Sequence, residues 1–113
     1  MSKLLVLVVR GYQVAPAQLE AELIAHPAVA DVAVVPRPDA DAGEVPVAYV
    51  TLREAAEPGA IAAWVAERVA PYKRPADVIV IDAIPRAATG KLLRRVLVER
   101  ERASARRPAA SAA

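Results

Sequence analysis

Val29-Ala30-Asp31-Val32-Ala33-Val34-Val35, then a polar break from Pro36 to Glu44, then Val45-Pro46-Val47-Ala48-Tyr49-Val50-Thr51-Leu52 is the stretch on which the fold turns. Both apolar runs are rich in β-branched residues and short enough for strands, so the pattern predicts two strands joined as a hairpin. Pro36 is expected to end the first strand, with the loop continuing through Pro38, Asp39, Asp41 and Gly43. Pro46 has no N–H for a ladder bond, which points to an edge position or a bulge. Asp39, Asp41 and Glu44 lack the regular ligand spacing of a calcium loop, so a solvated turn is expected there.

Outward from the hairpin, strand-like and helix-like segments alternate. Leu4 to Val9 is a continuous β-rich run that reads as a buried strand ended by Gly11. Pro16 suits the first position of a helix reaching about Ala25, with Leu19, Leu23 and Ile24 on its buried face and Gln18, Glu20 and Glu22 toward water. His26, next to Pro27, is expected to cap the end of that helix. After Glu57-Pro58-Gly59, the recurrence of Ile61, Trp64, Val65 and Val69 predicts a second helix packed on the core, with Trp64 a packing residue rather than a ligand contact. Tyr72 and Lys73 are expected to shape a corner before a short strand from Val78 to Ile81. Leu92, Leu93, Val96 and Leu97 give a last helix its buried stripe. The expected fold is α+β: a small mixed or antiparallel sheet packed by about three helices. One domain over residues 1–102 and a disordered tail over 103–113, where only Ala, Ser, Arg and Pro follow, complete this reading.

Composition narrows the chemistry. A chain of 113 residues holds a single core. The absence of cysteine removes disulfides, thiolate catalysis and zinc-thiolate sites, and one histidine cannot form a metal cluster, so no metal site is expected in this chain. The net charge of +2 is mild, and its excess falls in Arg94, Arg95, Arg100, Arg102, Arg106 and Arg107, partly offset by Glu99 and Glu101. Such a run reads as a solvated helix face, and without aromatic residues for base stacking no nucleic-acid partner is expected. The Leu4–Val9 run is too short for a membrane span of about 20 residues and has no secretory cleavage site, so a soluble, cytoplasmic protein without a membrane partner is expected.

The chemistry-bearing stretch is Ile84-Pro85-Arg86-Ala87-Ala88-Thr89-Gly90-Lys91-Leu92-Leu93-Arg94-Arg95. It is expected to set Lys91 on a short loop at the mouth of the last helix, with Thr89 as cap, Gly90 allowing a close turn and the first-turn N–H groups adding positive potential. That combination suits a phosphate or a carboxylate. It is not a Walker A loop, because Pro85 and Leu92 stand where that motif needs glycine and Ser or Thr.

Three further blocks accompany it in order: Arg10-Gly11-Tyr12-Gln13-Val14-Ala15-Pro16-Ala17-Gln18-Leu19-Glu20, Gly43-Glu44-Val45-Pro46-Val47-Ala48-Tyr49-Val50 and Pro71-Tyr72-Lys73-Arg74-Pro75. Together the four blocks, from about Val6 to Val98, resemble the small C-terminal domain of the adenylate-forming enzymes, nearest to 4-coumarate:CoA ligase, luciferase and related acyl-CoA synthetases. The resemblance implies an ATP-dependent acid:CoA ligase whose mobile C-terminal domain acts with a large N-terminal adenylation domain, in cis or in trans. ATP and coenzyme A are implied as co-substrates alongside a carboxylic acid, with Mg2+ held by the large domain. Lys91 then matches the catalytic adenylation lysine and also contacts nucleotide, Gln13 matches a nucleotide-binding glutamine, and Arg10 and Gly11 match the lining of the coenzyme A channel. The isolated chain is expected to be inactive. Leu4 and Val8 stand where coumarate-ligase-like enzymes carry lysines, and Met1 to Val9 replaces the family's hinge segment. These departures support the alternative of a free-standing, non-catalytic binding or interaction module derived from the same domain.

Overall fold

The computed structural model describes residues 6–105. Its centre is the expected hairpin, in which strands β3 (Val29–Asp39) and β4 (Gly43–Leu52) pair antiparallel from Val29↔Leu52 to Asp39↔Gly43. Ahead of it, β1 (Leu7–Val9) and β2 (Tyr12–Val14) form a second, smaller hairpin, and β1 meets the start of β4 at Val9↔Gly43. Strand β5 (Asp77–Val80) runs parallel to β4, which makes the sheet mixed, in the order β2-β1-β4-β3 with β5 beside β4. Helix α1 (Pro16–Ile24) precedes β3, and α2 (Pro58–Ala66) and a short 3-10 turn at Pro71–Lys73 precede β5. Helix α3 (Arg94–Ala105) follows the sheet.

Period-two alternation sorts the strand side chains between two layers. Val32, Val34, Ala48, Val50 and Val78 face α1 and α2, where they pack with Leu19, Leu23, Ile61 and Val65. Ala33, Val35, Val47 and Tyr49 face the other way and pack with Ile84 and Leu97. A third, smaller group of Leu7, Val9, Val14 and Ala42 lies under the β1–β2 hairpin.

Several expectations from the sequence need correction. Strands β3 and β4 include Pro36–Asp39 and Gly43–Glu44, which were expected to be loop, and Pro46 lies in the central strand rather than at an edge or bulge. The cause is that Pro36 faces Pro46 in the ladder, and the Pro46 carbonyl points away from β3 to accept the Ala76 N–H. The two prolines therefore form a non-hydrogen-bonded pair, in which neither strand misses an N–H. Tyr12–Val14, for which the sequence pattern predicts no element, is a strand. Ile24, Leu93 and Val96 are 41%, 39% and 51% exposed rather than buried, while Leu97 is buried. Helix α3 starts at Arg94 and continues to Ala105, three residues into the expected tail; residues 106–113 and residues 1–5, with Leu4 and Leu5 of the first apolar run, lie outside the described residues. Among the described residues, no helix is long and apolar enough to cross a membrane.

Charged residues expected to be solvated do structural work. Strand β3 has no strand partner on its outer side among the described residues. Its outward N–H groups are nevertheless satisfied or absent. Val32 N donates to Asp31 Oδ1 at 2.9 Å, Val34 N donates to Glu20 Oε2 at 2.8 Å, and the next two outward positions are Pro36 and Pro38. Arg94 completes the arrangement by donating to both Glu20 Oε2 and the Val34 carbonyl at 2.6 Å. An ion pair thus takes the place of a neighbouring strand and blocks edge-to-edge pairing. On the opposite face the buried Glu101 accepts from Arg37 Nε at 2.7 Å and from the Tyr49 hydroxyl. Burial and the adjoining carboxylate both push the Tyr49 pKa up, so this hydroxyl remains a donor.

Two outcomes follow from these contacts. Tyr49→Phe should lower the unfolding free energy by about 2 kcal/mol in urea titration, and by far less when Glu101 is already Leu, because the lost bond is one to a charged acceptor. Glu20→Ala combined with Pro36→Val and Pro38→Val should expose a pairing edge on β3 and produce concentration-dependent self-association in sedimentation, beyond that of the parent chain.

Candidate functional site at two hairpin turns

Lys91 is not at the mouth of a helix. The segment after β5 folds back as a tight hairpin in which Arg86 bridges Leu92, and α3 begins three residues beyond the lysine. Ala87 N donates to the Lys91 carbonyl at 2.9 Å, Gly90 N to the Ala87 carbonyl at 2.8 Å and Leu93 N to the Pro85 carbonyl at 2.9 Å. Thr89 therefore sits in the turn and caps nothing. Gly90 has φ +89°, and a β-carbon there would meet open space, so glycine is needed for the backbone conformation rather than for room.

Two arginines fasten this hairpin to the domain. Arg86 forks onto Asp31, with Nη2 to Oδ1 at 2.8 Å and Nε to Oδ2 at 3.0 Å, and its Nη1 donates to the Gly90 carbonyl at 3.0 Å. The Arg86 bond lowers the Asp31 pKa, and the Asp31 carboxylate in turn raises that of Arg86. Beyond Lys91, Arg94 is held by Glu20 and Val34. Lys91 itself is exposed, and among the described residues its side chain has no hydrogen-bond or ion-pair partner. The turn is tied down on both sides while its ammonium group projects into solvent.

Sequence reasoning missed Arg86, Asp31, Arg94 and Glu20 as parts of this site. The one available signal was a charged residue, Asp31, inside an otherwise apolar strand run.

The other expected site residues lie on the β1–β2 hairpin. Arg10 and Gly11 form its two-residue turn, both at positive φ, 51° and 86°, the geometry of a type I′ connection. Among the described residues Arg10 is the non-glycine residue with left-handed backbone, and its N–H is fixed by the Ala42 carbonyl at 2.9 Å. Gln13 is exposed on β2 opposite Val8. Tyr12 stacks on Tyr72 with ring centroids 4.3 Å apart, and these rings border a cavity of about 640 Å³ that Arg10 and Arg74 also line. Gly11 needs its conformation but encloses nothing here: a β-carbon there would also meet open space.

The structure brings Arg10, Gly11 and Gln13 together and sets Lys91 apart from them. Arg10 is anchored beside the turn that joins β3 to β4, whereas Arg86 is anchored at Asp31 near the other end of β3. The strand between Asp31 and Asp39 spans roughly 26 Å at about 3.3 Å per residue. The acidic residues of the β3–β4 turn are engaged locally: Asp39 Oδ2 accepts from Asp41 N and Ala42 N, and Glu44 Oε1 accepts from Val8 N. Among the described residues no three His, Cys, Asp or Glu side chains gather as metal ligands.

The family model described as AMP-binding enzyme C-terminal domain matches residues 18–91. The 4-coumarate–CoA ligase-like 9 protein of Oryza sativa subsp. japonica is 57% identical over 90 residues, which cover 78% of this chain and 16% of that protein. The Mycobacterium tuberculosis fatty acyl CoA synthetase superposes with a TM-score of 0.80 at 39% identity, over 88% of this chain and 20% of the synthetase. ATP-bound MatB from Rhodopseudomonas palustris superposes with a TM-score of 0.84 at 28% identity, over 89% of this chain and 20% of MatB. The chain spans about a sixth of the length of the curated relatives it matches. With the ordered blocks, the fold and these matches in agreement, the chain belongs to the AMP-binding enzyme C-terminal domain family, the domain carried by 4-coumarate–CoA ligases and acyl-CoA synthetases.

Proposed function

We propose that the chain is the mobile lid of an ATP-dependent acid:CoA ligase and that Lys91 is its adenylation lysine. The observation that carries this reading is an exposed ammonium, without a hydrogen-bond or ion-pair partner among the described residues, on a turn held by ion pairs at Arg86 and Arg94. A lysine made only for stability would be expected to use its charge within the domain; this one is left for a ligand held elsewhere.

In the first half-reaction a large adenylation domain holds ATP and the carboxylic acid, and the lid brings Lys91 between the acid's carboxylate and the α-phosphate. The cation orients the two anionic groups and balances the charge that develops as the carboxylate oxygen attacks phosphorus and pyrophosphate leaves. The coenzyme A thiol then attacks the acyl carbon of the resulting acyl-adenylate, so that the thioester forms, the acyl–phosphate bond breaks, AMP leaves and the thiol proton is lost to solvent. Because the Arg10–Gly11 turn lies at the far end of the sheet, the lid must rotate to exchange one turn for the other at a single active site. Arg10 and Gly11 then line the coenzyme A channel, and Gln13 contacts the adenylate. Magnesium belongs with the large domain in this reading.

A non-catalytic module is favoured by one observation. Val8, at a position where the family carries lysine, is 46% exposed on the outer side of β1, so that position presents no cation. Leu4 lies outside the described residues.

Adding this chain to a matching large domain stripped of its own lid should restore pyrophosphate release. Lys91→Ala should lower that release by about 10²–10³, the effect of losing one preorganised charge contact. Equal release by the alanine variant would show that the lysine is assigned wrongly. Val8→Lys should raise thioester formation from preformed acyl-adenylate while leaving pyrophosphate release unchanged; a domain that has left catalysis altogether would give neither activity.

A further inference from the structure

We propose that Asp31 is a positioning residue for Lys91, acting through Arg86 on the Gly90 carbonyl. The inference rests on the reading of Lys91 as the adenylation lysine, and it assigns a task to a strand residue 55 positions away in the chain from the arginine it holds.

The geometry has three joined parts. The Asp31 carboxylate is itself fixed, because its Oδ1 accepts the Val32 N–H of the strand at 2.9 Å. Both carboxylate oxygens then receive the Arg86 fork, which leaves the guanidinium only one orientation. The remaining edge of that guanidinium donates to Gly90 at 3.0 Å, the residue just before Lys91. The direction in which the lysine leaves the turn is thereby referred to strand β3 rather than to the hairpin alone.

A stability role accounts poorly for this arrangement. The Arg86 and Asp31 side chains are 39% and 33% exposed, and ion pairs so open to solvent contribute little to folding. What a planar fork supplies at an exposed site is direction, since one guanidinium can satisfy three acceptors in fixed relation where an ammonium cannot. Direction matters to a lysine that must meet two anionic groups at once, because a misplacement of about 1 Å can cost on the order of a hundredfold in rate.

The first measurement uses the 113-residue chain alone. Asp31→Ala and Arg86→Lys should each raise amide hydrogen exchange at Ala87, Gly90 and Leu93, whose N–H groups close the hairpin, about tenfold, with the melting temperature shifted by no more than about 3 °C. Asp31→Glu, which keeps both acceptor oxygens for the Arg86 fork, should retain part of the protection. The second measurement adds the large domain: Asp31→Ala and Arg86→Lys should each lower kcat for pyrophosphate release at least tenfold while KM for ATP changes by less than about twofold. Unchanged exchange at Ala87, Gly90 and Leu93 would overturn the proposal. So would a loosened turn with undiminished kcat in an assembly where Lys91→Ala is inactive. Undiminished release by Lys91→Ala would instead defeat the underlying assignment of the lysine, and the exchange data, taken without the large domain, keep the two failures apart.

Discussion

The outer edge of β3 is the constraint on which the other parts hang. A strand with no neighbour must dispose of a row of N–H groups, and this one does so with two carboxylates and two prolines. Each carboxylate has a second partner. Asp31 closes Val32 and holds Arg86; Glu20 closes Val34 and holds Arg94. The residues that end the sheet are therefore the same residues that secure the segment carrying Lys91. Glu20, the less exposed of the two, ties the sheet edge and the segment after Lys91 together, whereas the pair made by Asp31 is open to solvent and is felt chiefly at the hairpin.

This coupling explains how a small domain can present two different tools without internal rearrangement. The β3–β4 ladder is continuous apart from an irregularity between Val29 and Asp31, and both of its faces are covered by packed side chains. At one end the Arg10–Gly11 turn is tied through the Ala42 carbonyl; at the other the Gly90–Lys91 turn is tied through Asp31. If both turns serve one active site, as proposed, a stiff body must present one or the other by moving as a whole. On the proposed reading, the alternation between adenylation and thioester formation is set by the orientation of the domain against its partner. It needs no change within the fold.

Much of the architecture was legible because buried strands and amphipathic helices leave different periods in the sequence. The β3–β4 pair, α1 from Pro16 and α2 around Ile61 and Val65 follow from that alone. The failures share a cause, which is that a period describes one element and not the element opposite it. Pro36 and Pro46 each look like a strand breaker, and only their mutual register makes them harmless. Arg94, Glu20 and Glu101 look solvated until another element is placed against them. Thr89-Gly90 resembles a helix start, yet the hairpin closed by Ala87 and Lys91 delays the helix to Arg94. Lys91 stands out in the sequence as a candidate because its block is contiguous; Asp31 does not, because its partner is remote in the chain.

Position 8 separates what the fold requires from what it only permits. In β1 the side chains of Leu7 and Val9 are buried, while Val8 between them is 46% exposed. Its backbone N–H is taken by Glu44, and that bond is indifferent to the side chain. A lysine at this position could keep its charged head in water and lay its methylenes along the strand, so packing within the domain gives no reason for valine. The apolar residue there must be understood through whatever meets the outer side of β1, or as the mark of a function that no longer uses a cation at that point. The same logic applied to Lys91 leads the other way: an exposed lysine stands on a turn anchored by Arg86 and Arg94, so on the proposed reading both its charge and its support are in place. The two halves of the proposed chemistry therefore differ in how well this chain is equipped for them, with the adenylation end intact in its residues and the thioester end altered.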